Sequence, residues 1–162
     1  MKITNFKTMI MNIKNKHRFV IQEHHASHLH YDFRLEMLAH PADRAEKEGI
    51  DRYVLKSWAV PKNVSSENEV KRLAFQVEDH DIAYIDFEGI IKEGSYGAGE
   101  VKIWDSGEYE ILSMESDERG NLKEVVFNLY GKKIKGEYAL IKTRGFGSGK
   151  NRENSWLIFK KK

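Results

Sequence analysis

Strict alternation of polar and apolar residues along short segments is the feature that most constrains how this chain can fold. The clearest case is the run 30–37, in which every second residue is apolar. Successive side chains of a β-strand point to opposite faces, so this run predicts a strand with one polar and one apolar face. Metal-type ligands beside an arginine on one face are typical of the floor of an active site. The polar face consists of His30, Asp32, Arg34 and Glu36, and the apolar face of Tyr31, Phe33, Leu35 and Met37.

Other short segments alternate in the same way, which predicts about nine strands in total. Glycines, Gly107 among them, separate these segments, and no long segment has helical periodicity. We therefore expect an all-β, mainly antiparallel fold, a compact closed β-barrel of about eight strands with one or two short flanking helices. Closure removes sheet edges, and we expect it to enclose the polar face inside the barrel. The further strand candidates are 19–22, 54–60, 72–78, 100–104, 108–112, 125–129, 137–142 and 156–159.

Two segments depart from the alternation. Residues 39–49 are polar, rich in helix formers and begin near Pro41, which predicts a short helix or excursion between two strands. Residues 1–16 lack periodicity and are expected to form an N-terminal arm. No internal repeat interrupts the chain, so we expect a single domain over 1–162 with a barrel core over 18–160.

Composition excludes several classes of protein. The 162 residues contain no cysteine, which excludes disulfides, thiolate metal sites and cysteine nucleophiles. With 27 Lys and Arg against 25 Asp and Glu, the chain has no overall nucleic-acid signature, and any basic surface must be local. Basic residues do gather in 144–162, where a solvated tail is the simple interpretation. No apolar stretch of about 18 residues occurs, so we expect a cytoplasmic protein without membrane contact.

Histidines and a carboxylate form the first candidate site. His30 and Asp32 point the same way from one predicted strand, and a turn through residues 26–27 could bring His24 beside them. Imidazole and carboxylate suit Mn, Zn or Fe, and three protein ligands leave coordination positions for water and substrate. The alternative is a chance cluster of structural histidines. His25 and His28 are expected to be loop histidines.

Cations form the second candidate site. Arg34 follows Asp32 on the same face, Lys62 ends the segment 56–62, and Arg72 begins a predicted strand. Arginine binds phosphate oxygens with a bidentate fork, and lysine binds them as a point charge. Each cation could instead pair with a neighbouring carboxylate or be solvated.

Near the end of the fourth predicted strand lie His80 and Tyr84. By alternation His80 is expected on the face of Arg72, where it could act as a general acid or bind a phosphoryl oxygen. A loop histidine bonded to a neighbouring aspartate is the alternative. Gln22 shares the parity of His24. The glycine-rich segment 92–99 lacks the ending of a phosphate-binding P-loop and is expected to be a tight loop with positive φ.

In order along the chain, these residues resemble the 3′-phosphoesterase domain of the ligase D family of DNA end-joining proteins, in its stand-alone form. The resemblance covers residues 18–160. The segments that carry it are FVIQEH (19–24), HYDFRLE (30–36), LKSWAVPK (55–62), KRLA (71–74), VEDH (77–80), DFEG (86–89), EGSYGAG (93–99) and GEYAL (136–140).

This resemblance implies a β-barrel that hydrolyses a DNA 3′-phosphate to a 3′-OH and removes a 3′-terminal ribonucleoside from a primer–template. It implies Mn²⁺ as the metal, although Zn²⁺ or Co²⁺ would accept the same ligands. It also implies DNA 3′ ends as the partner, separate ligase and polymerase acting in trans, and a monomer. The implied metal ligands are His24, His30 and Asp32, and the residues implied to contact or activate the phosphate are Gln22, Arg34, Lys62, Arg72, His80 and Tyr84.

Two departures from the family pattern bear on these expectations. The N-terminal extension that contributes to the diesterase step in longer members has no match in residues 1–16, and segment 37–53 is longer than the usual turn. The missing extension therefore bears on the diesterase prediction and not on the monoesterase prediction. Two rival functions remain. One is a non-haem Fe(II) oxygenase-like barrel built on His30, Asp32 and His80, and the other is a non-catalytic DNA-end binding module.

Overall fold

The computed structural model describes residues 16–43, 52–145 and 149–162. Most of the predicted arm lies outside these residues, but Lys16 already belongs to the first strand. The predicted excursion 39–49 is described only as far as a 3₁₀ turn over Pro41–Asp43, and its remainder lies outside the described residues.

Nine strands follow one another along the chain, with little helix between them. The helical elements are the 3₁₀ helices Pro41–Asp43 and Ile82–Asp86 and one α-helical turn, Lys150–Glu153. Within the described part of the chain, none of these helices has the length or apolarity needed to cross a membrane. The strands are β1 (Lys16–His25), β2 (Leu29–Leu38), β3 (Tyr53–Val60), β4 (Arg72–His80), β5 (Gly89–Ile91), β6 (Gly99–Ser116), β7 (Leu122–Gly131), β8 (Lys135–Lys142) and β9 (Ser155–Lys160).

The strands form one antiparallel sheet in the order β1-β2-β3-β4-β9-β8-β7-β6-β5, and pairing of β1 with β6 closes it. Closure makes an eight-stranded barrel, and β5 is an extra strand that pairs with β6 outside the closed ring. The sequence prediction of a closed, mainly antiparallel barrel of about eight strands is confirmed. The short strand β5 was not predicted, because three residues are too few to show alternation.

The two strands predicted at 100–104 and 108–112 are in fact one long strand, β6. Gly107, expected to separate them, lies inside this strand and pairs with Phe19 on one side and Gly131 on the other. A Cβ atom at Gly107 would lie 2.4 Å from the carbonyl oxygen of Tyr130. This glycine therefore permits a close approach of neighbouring strands and does not form a turn.

The interior of the barrel is apolar and aromatic. The Phe33 ring lies 6.4 Å from the Trp58 ring on the adjacent strand and stacks on Phe127, 5.9 Å away. Because β2 and β7 are not neighbours in the sheet, the contact between Phe33 and Phe127 crosses the barrel interior. The expectation that the barrel would enclose the polar face is wrong. An eight-stranded barrel is just wide enough for its own side chains to fill, so the apolar face occupies the interior and the polar face lies outside.

The outer polar face is nevertheless buried, because residues 82–87 cover it. Ile85 of the 3₁₀ helix packs against Val20 and Leu55, which project from the outer side of β1 and β3. Asp81 starts this helix by accepting a hydrogen bond from the backbone N–H of Ala83, at 2.9 Å. A small second core on the outside of the barrel thus takes polar side chains of β1 and β2 out of solvent.

Candidate metal centre

The hairpin of β1 and β2 brings the three predicted metal ligands together. His24 pairs directly with His30 in the register, and Gln22 pairs with Asp32. The turn at residues 26–28 therefore returns the chain as the sequence predicted. One ligand atom from each of His24, His30 and Asp32 lies within 4.8 Å of the others.

Backbone carbonyls orient both imidazoles of this cluster. His24 Nε2 lies 2.7 Å from the carbonyl oxygen of Gly97, and a carbonyl only accepts, so Nε2 carries the proton. Nδ1 of His24, 3.2 Å from the Asp32 carboxylate, keeps a lone pair directed at the cluster. Neutral His30 has the mirrored arrangement, with Nδ1–H held by the His28 carbonyl at 3.1 Å and Nε2 3.4 Å from Asp32, and when the ring is protonated its Nε2–H faces that carboxylate as a donor. Ring N–H groups held by backbone carbonyls are typical of metal-ligating histidines, so this donor set fits Mn²⁺, Zn²⁺ or Co²⁺.

Electrostatics keep Asp32 ionised in this setting. Burial opposes the charge, but the hydrogen bond from His30 and the positive charge of Arg34 outweigh it and hold the pKa of Asp32 below its usual value. The same hydrogen bond raises the pKa of His30 above its ordinary value, against the effect of burial. A carboxylate that is ionised at neutral pH is ready to coordinate a cation.

The loop between β5 and β6 holds the backbone carbonyl that orients His24. Gly97 has φ of +75°, a left-handed conformation that residues with a Cβ seldom adopt. The prediction that the glycine-rich segment 92–99 is a tight loop with positive φ is confirmed, since Gly94 and Gly99 also have positive φ. This loop thus contributes to the site through the Gly97 carbonyl, which orients His24, and not as a phosphate-binding P-loop.

Arg34 lies next to the cluster and is only 3% exposed. Its Nε donates to Gln22 Oε1 at 2.6 Å, and its Nη1 donates to Ser57 Oγ at 2.8 Å. Nη2 lies 3.4 Å from the Asp32 carboxylate. Burial lowers the pKa of Arg34, although an arginine with this carboxylate beside it stays protonated. Protein groups therefore hold Nε and Nη1 of the guanidinium, and Nη2 is directed toward the metal cluster.

Gln22 connects Arg34 to the segment that covers the outer face. Its side chain is fully buried and donates from Nε2 to the carbonyl oxygens of Tyr84, at 3.0 Å, and Phe87, at 3.2 Å. Its Oε1 accepts from Arg34. All three contacts position neighbouring groups, so Gln22 is a positioning residue for Arg34.

His80 joins the site because of an irregularity in β4. Leu55 and Ser57 are two residues apart on β3, but their partners His80 and Val77 are three apart on β4. This β-bulge reverses the alternation and places His80 on the outer face, where Nδ1 lies 3.1 Å from Arg34 Nη1. The prediction that His80 shares the face of Arg72 is therefore wrong.

The His80 ring is neutral in this environment. Burial and then the charge of Arg34 lower the pKa of His80 below its usual value. Nδ1 lies 3.0 Å from the Glu78 carbonyl as well as near Arg34, so it can donate to the carbonyl or accept from the arginine, one at a time. His80 contacts Arg34, and His24 takes the third place beside His30 and Asp32, which differs from the triad that the oxygenase alternative required.

Tyr84 packs over the same arginine. Its ring centroid is 5.1 Å from the Arg34 guanidinium carbon, 5.2 Å from the His80 ring and 4.8 Å from the stacked Phe87 ring. Burial raises the pKa of Tyr84, so its hydroxyl keeps its proton at neutral pH. The predicted group Gln22, Arg34, His80 and Tyr84 is thus contiguous.

Lys62 and Arg72 lie apart from this group. Arg72 is two residues from Ala74, whose side chain lies in the barrel core, so Arg72 shares that inner face of β4, opposite the outer face on which His80 lies. With Lys62 it lines a surface cavity of about 410 Å³ near the ends of β3 and β4. Among the described residues, no hydrogen bond or ion pair joins either cation to the metal cluster.

Two contributors to the site were missed by sequence reasoning. Ser57 is fully buried and links Arg34 to the carbonyl oxygen of Leu55, at 3.0 Å. A serine between the bulky Lys56 and Trp58 on a buried strand was the available signal. The Gly97 carbonyl carried no signal, because a backbone acceptor is common to every residue.

Comparison with known proteins gives a consistent result. A family model described as the DNA ligase D 3′-phosphoesterase domain matches residues 22–142. The multifunctional non-homologous end joining DNA repair protein LigD of Mycobacterium tuberculosis H37Rv is 49% identical over 127 residues, 78% of this chain. LigD of Pseudomonas aeruginosa PAO1 is 44% identical over 147 residues, 90% of this chain.

These alignments cover only a small part of each relative. The match spans 15% of the length of either LigD protein, so the likeness concerns one region of a longer multifunctional chain. The family model covers most of the present chain and includes His24, His30, Asp32, Arg34 and His80 within its limits. The chain belongs to the DNA ligase D 3′-phosphoesterase domain family.

Proposed function

We propose that this protein is a metal-dependent phosphoesterase that hydrolyses a 3′-phosphate at a DNA end to a 3′-OH during end joining. The observation that carries the proposal is the cluster of His24, His30 and Asp32, with both imidazoles oriented by backbone carbonyls and Arg34 adjacent. The names of the relatives, which describe non-homologous end joining proteins, support DNA ends as the substrate.

His24, His30 and Asp32 would hold the metal. Bound there, Mn²⁺, or Zn²⁺ or Co²⁺ in its place, would supply Lewis-acid polarisation of a phosphoryl oxygen and a lowered pKa of bound water. The hydrogen bonds that His24 and His30 donate to the Gly97 and His28 carbonyls fix the ring orientations before any metal arrives. Because Asp32 is ionised and His24 presents a lone pair, the site needs little reorganisation to bind a cation.

The chain's own groups complete the phosphate site. The Nε and Nη1 hydrogens of Arg34 are directed at Gln22, Ser57 and His80, while Nη2, 3.4 Å from the Asp32 carboxylate, faces the metal cluster, where we propose that it also binds a phosphate oxygen. A buried guanidinium held in this way stabilises developing negative charge without reorganising. His80, neutral at pH 7, could hold a second oxygen or, once protonated, give a proton to the leaving 3′-oxygen, with the Tyr84 hydroxyl assisting.

Lys62 and Arg72 have a different part in the proposal. They line the neighbouring cavity rather than contact the cluster, so we assign them to the DNA backbone or to the phosphate after closure around substrate. Direct attack by water is the proposed nucleophilic step, because none of the side chains assigned to the site is an activated nucleophile.

The test is release of phosphate from a 3′-phosphate primer–template as a function of Mn²⁺. His30→Ala removes a ligand, and we expect kcat to fall at least about 100-fold. His25→Ala is the matched control, since the His25 side chain pairs with Glu23 on the surface, and it should retain the wild-type rate. Wild-type turnover by His30→Ala would contradict the metal assignment.

Three primers separate the finer activities. We propose that a primer ending in one ribonucleotide is trimmed first and that its 3′-phosphate is then removed. Primers ending in a ribonucleotide, a 3′-phosphate or a 3′-OH therefore distinguish diesterase from monoesterase. Salt-sensitive binding of all three ends without turnover would instead identify a non-catalytic end-binding module. Parallel assays with Zn²⁺ and Co²⁺ identify the metal that supports the fastest reaction.

A further inference from the structure

Tyr96 is the most exposed large hydrophobic side chain in the described part of the chain. Its relative exposure is 98%, so it buries almost nothing against the protein. By comparison, Tyr130 on β7 is 48% exposed, and its hydroxyl is in contact with Asn128 and Glu110. A tyrosine that does not pack in the core and is fully exposed to solvent is a candidate for contact with a ligand.

Two consecutive turns hold the backbone that carries Tyr96. Ser95 closes one turn by donating to the Lys92 carbonyl at 3.1 Å, and Ala98 closes the next by donating to the Ser95 carbonyl at 3.1 Å. Tyr96 is the second residue of this latter turn, and Gly97, with φ of +75°, is the third. Positive φ at the third position is typical of a type II turn, which leaves the side chain at the second position at the corner.

This turn is attached to the candidate metal centre. The residue directly after Tyr96 is Gly97, whose carbonyl oxygen lies 2.7 Å from His24 Nε2. Consecutive Cα atoms are about 3.8 Å apart, so the Tyr96 side chain starts beside the metal cluster. A terminal nucleotide whose 3′-phosphate lies on the cluster would have its base within reach of this ring.

We infer that Tyr96 is a stacking platform for the nucleobase of the terminal nucleotide at the DNA 3′ end. The identity of the ligand rests on the proposed function, while the exposure and placement of the ring do not. Every base has a π face, so a platform of this kind binds ends of any sequence. Stacking of one base on an aromatic side chain contributes about 1–3 kcal/mol, which corresponds to roughly 5- to 150-fold in affinity.

The experiment compares two labelled primer–templates that both end in 3′-OH and differ only in the terminal primer nucleotide. One has a normal base, and the other is abasic at that nucleotide, so length and backbone charge are the same. Fluorescence anisotropy gives each dissociation constant. We expect the wild-type protein to bind the normal end roughly 5- to 150-fold more tightly, and Tyr96→Ala to bind both ends equally.

Tyr96→Phe is the matched variant, because it keeps the ring and loses only the hydroxyl, and it should retain the preference for the normal end. Tyr130→Ala removes a tyrosine from β7 and should also retain it. Since Tyr96 buries almost nothing, Tyr96→Ala should unfold at the wild-type urea midpoint, and Tyr96→Ser provides a second variant that removes the ring.

The stacking platform is supported if Tyr96→Ala and Tyr96→Ser lose the preference for the normal end while Tyr96→Phe and Tyr130→Ala retain it. No preference in the wild-type protein, or a preference that survives Tyr96→Ala, overturns it, and the ring would then serve a different partner such as another protein. The 3′-OH primers undergo no phosphate release, so failure of hydrolysis on 3′-phosphate primers bears on the proposed function and leaves this binding result intact.

Discussion

Gln22 offers the sharpest test of how the outer face of the barrel is held together. The proposed change is Gln22→Met, which keeps the side-chain length and removes both polar atoms. In the structure Gln22 is fully buried, accepts a hydrogen bond from Arg34 and donates two to the carbonyls of Tyr84 and Phe87. The substitution therefore breaks three hydrogen bonds at once.

The expected loss of stability follows from which groups lose their partners. The Tyr84 carbonyl keeps a second donor, the backbone N–H of Phe87 at 3.1 Å, so it remains satisfied. The Arg34 Nε–H and the Phe87 carbonyl lose the partner that Gln22 supplied. A buried polar group without a partner costs about 1–3 kcal/mol, so the free energy of unfolding should fall by about 2–6 kcal/mol.

Urea unfolding followed by tryptophan fluorescence measures this loss. Gln76→Met is the matched control, because Gln76 is a half-buried glutamine on β4 that lines a cavity with Met37 and Met114 and not the metal cluster. It should lose less than about 1 kcal/mol. An unchanged slope with denaturant would show that both variants unfold from a similar native state.

Activity supplies the second readout. Without Gln22 the Arg34 guanidinium loses the contact that fixes Nε, so kcat for 3′-phosphate release should fall while the fold persists at low urea. A loss of stability below about 1 kcal/mol for Gln22→Met, or a loss equal to that of Gln76→Met, would refute the argument that this glutamine anchors the covering segment.

Three further predictions concern other parts of the barrel. Asp105→Asn should lower the free energy of unfolding by about 2–6 kcal/mol in urea titrations, because the two carboxylate oxygens accept four backbone N–H groups and an amide nitrogen would face two of them. Burial raises the pKa of Glu36, but hydrogen bonds from Arg18 outweigh it and lower that pKa below 4.5. The Arg18–Glu36 pair thus stabilises the fold above pH 4.5, and this contribution is lost as the pH falls through the lower pKa that Glu36 has in the folded state. Glu36→Gln should therefore lower the free energy of unfolding by less than about 1 kcal/mol at pH 7 and leave it unchanged near pH 2, as measured by unfolding at both pH values. Gly97→Ala should strain the positive φ and displace the carbonyl that orients His24, weakening Mn²⁺ affinity about 10- to 100-fold in calorimetric titration, and equal affinity would show that the carbonyl does not orient the ligand.

Local alternation predicted a large part of the candidate site. His24, His30, Asp32 and Arg34 lie on two strands joined by a short turn, and their shared face follows from the period of two along each strand. Sequence-local rules apply well where the partners are separated by a hairpin. For the same reason Phe33, Leu35 and Met37, which alternate with them on β2, share the opposite face, and the structure places that face in the core.

Positions that depend on strand pairing were harder to predict. The bulge in β4 reverses the alternation between Arg72 and His80, and it is visible only against the register of β3. Gly107 looked like a boundary, since a glycine in a strand and a glycine in a turn have the same local appearance. The carbonyl of Gly97 belongs to a loop distant in sequence from His24, so its role required the folded chain.

By itself the sequence determined which side chains share a face, that the fold is a closed antiparallel barrel, and which hairpin carries the metal-type ligands. Only the tertiary structure decided that the polar face lies outside the barrel and that residues 82–87 bury it. The physical reason is one of volume. Alternation divides a strand into two faces, but it does not say which face is inside. The aromatic side chains of Phe33, Trp58 and Phe127 fill the interior of this eight-stranded barrel, so the metal-type ligands are excluded from it.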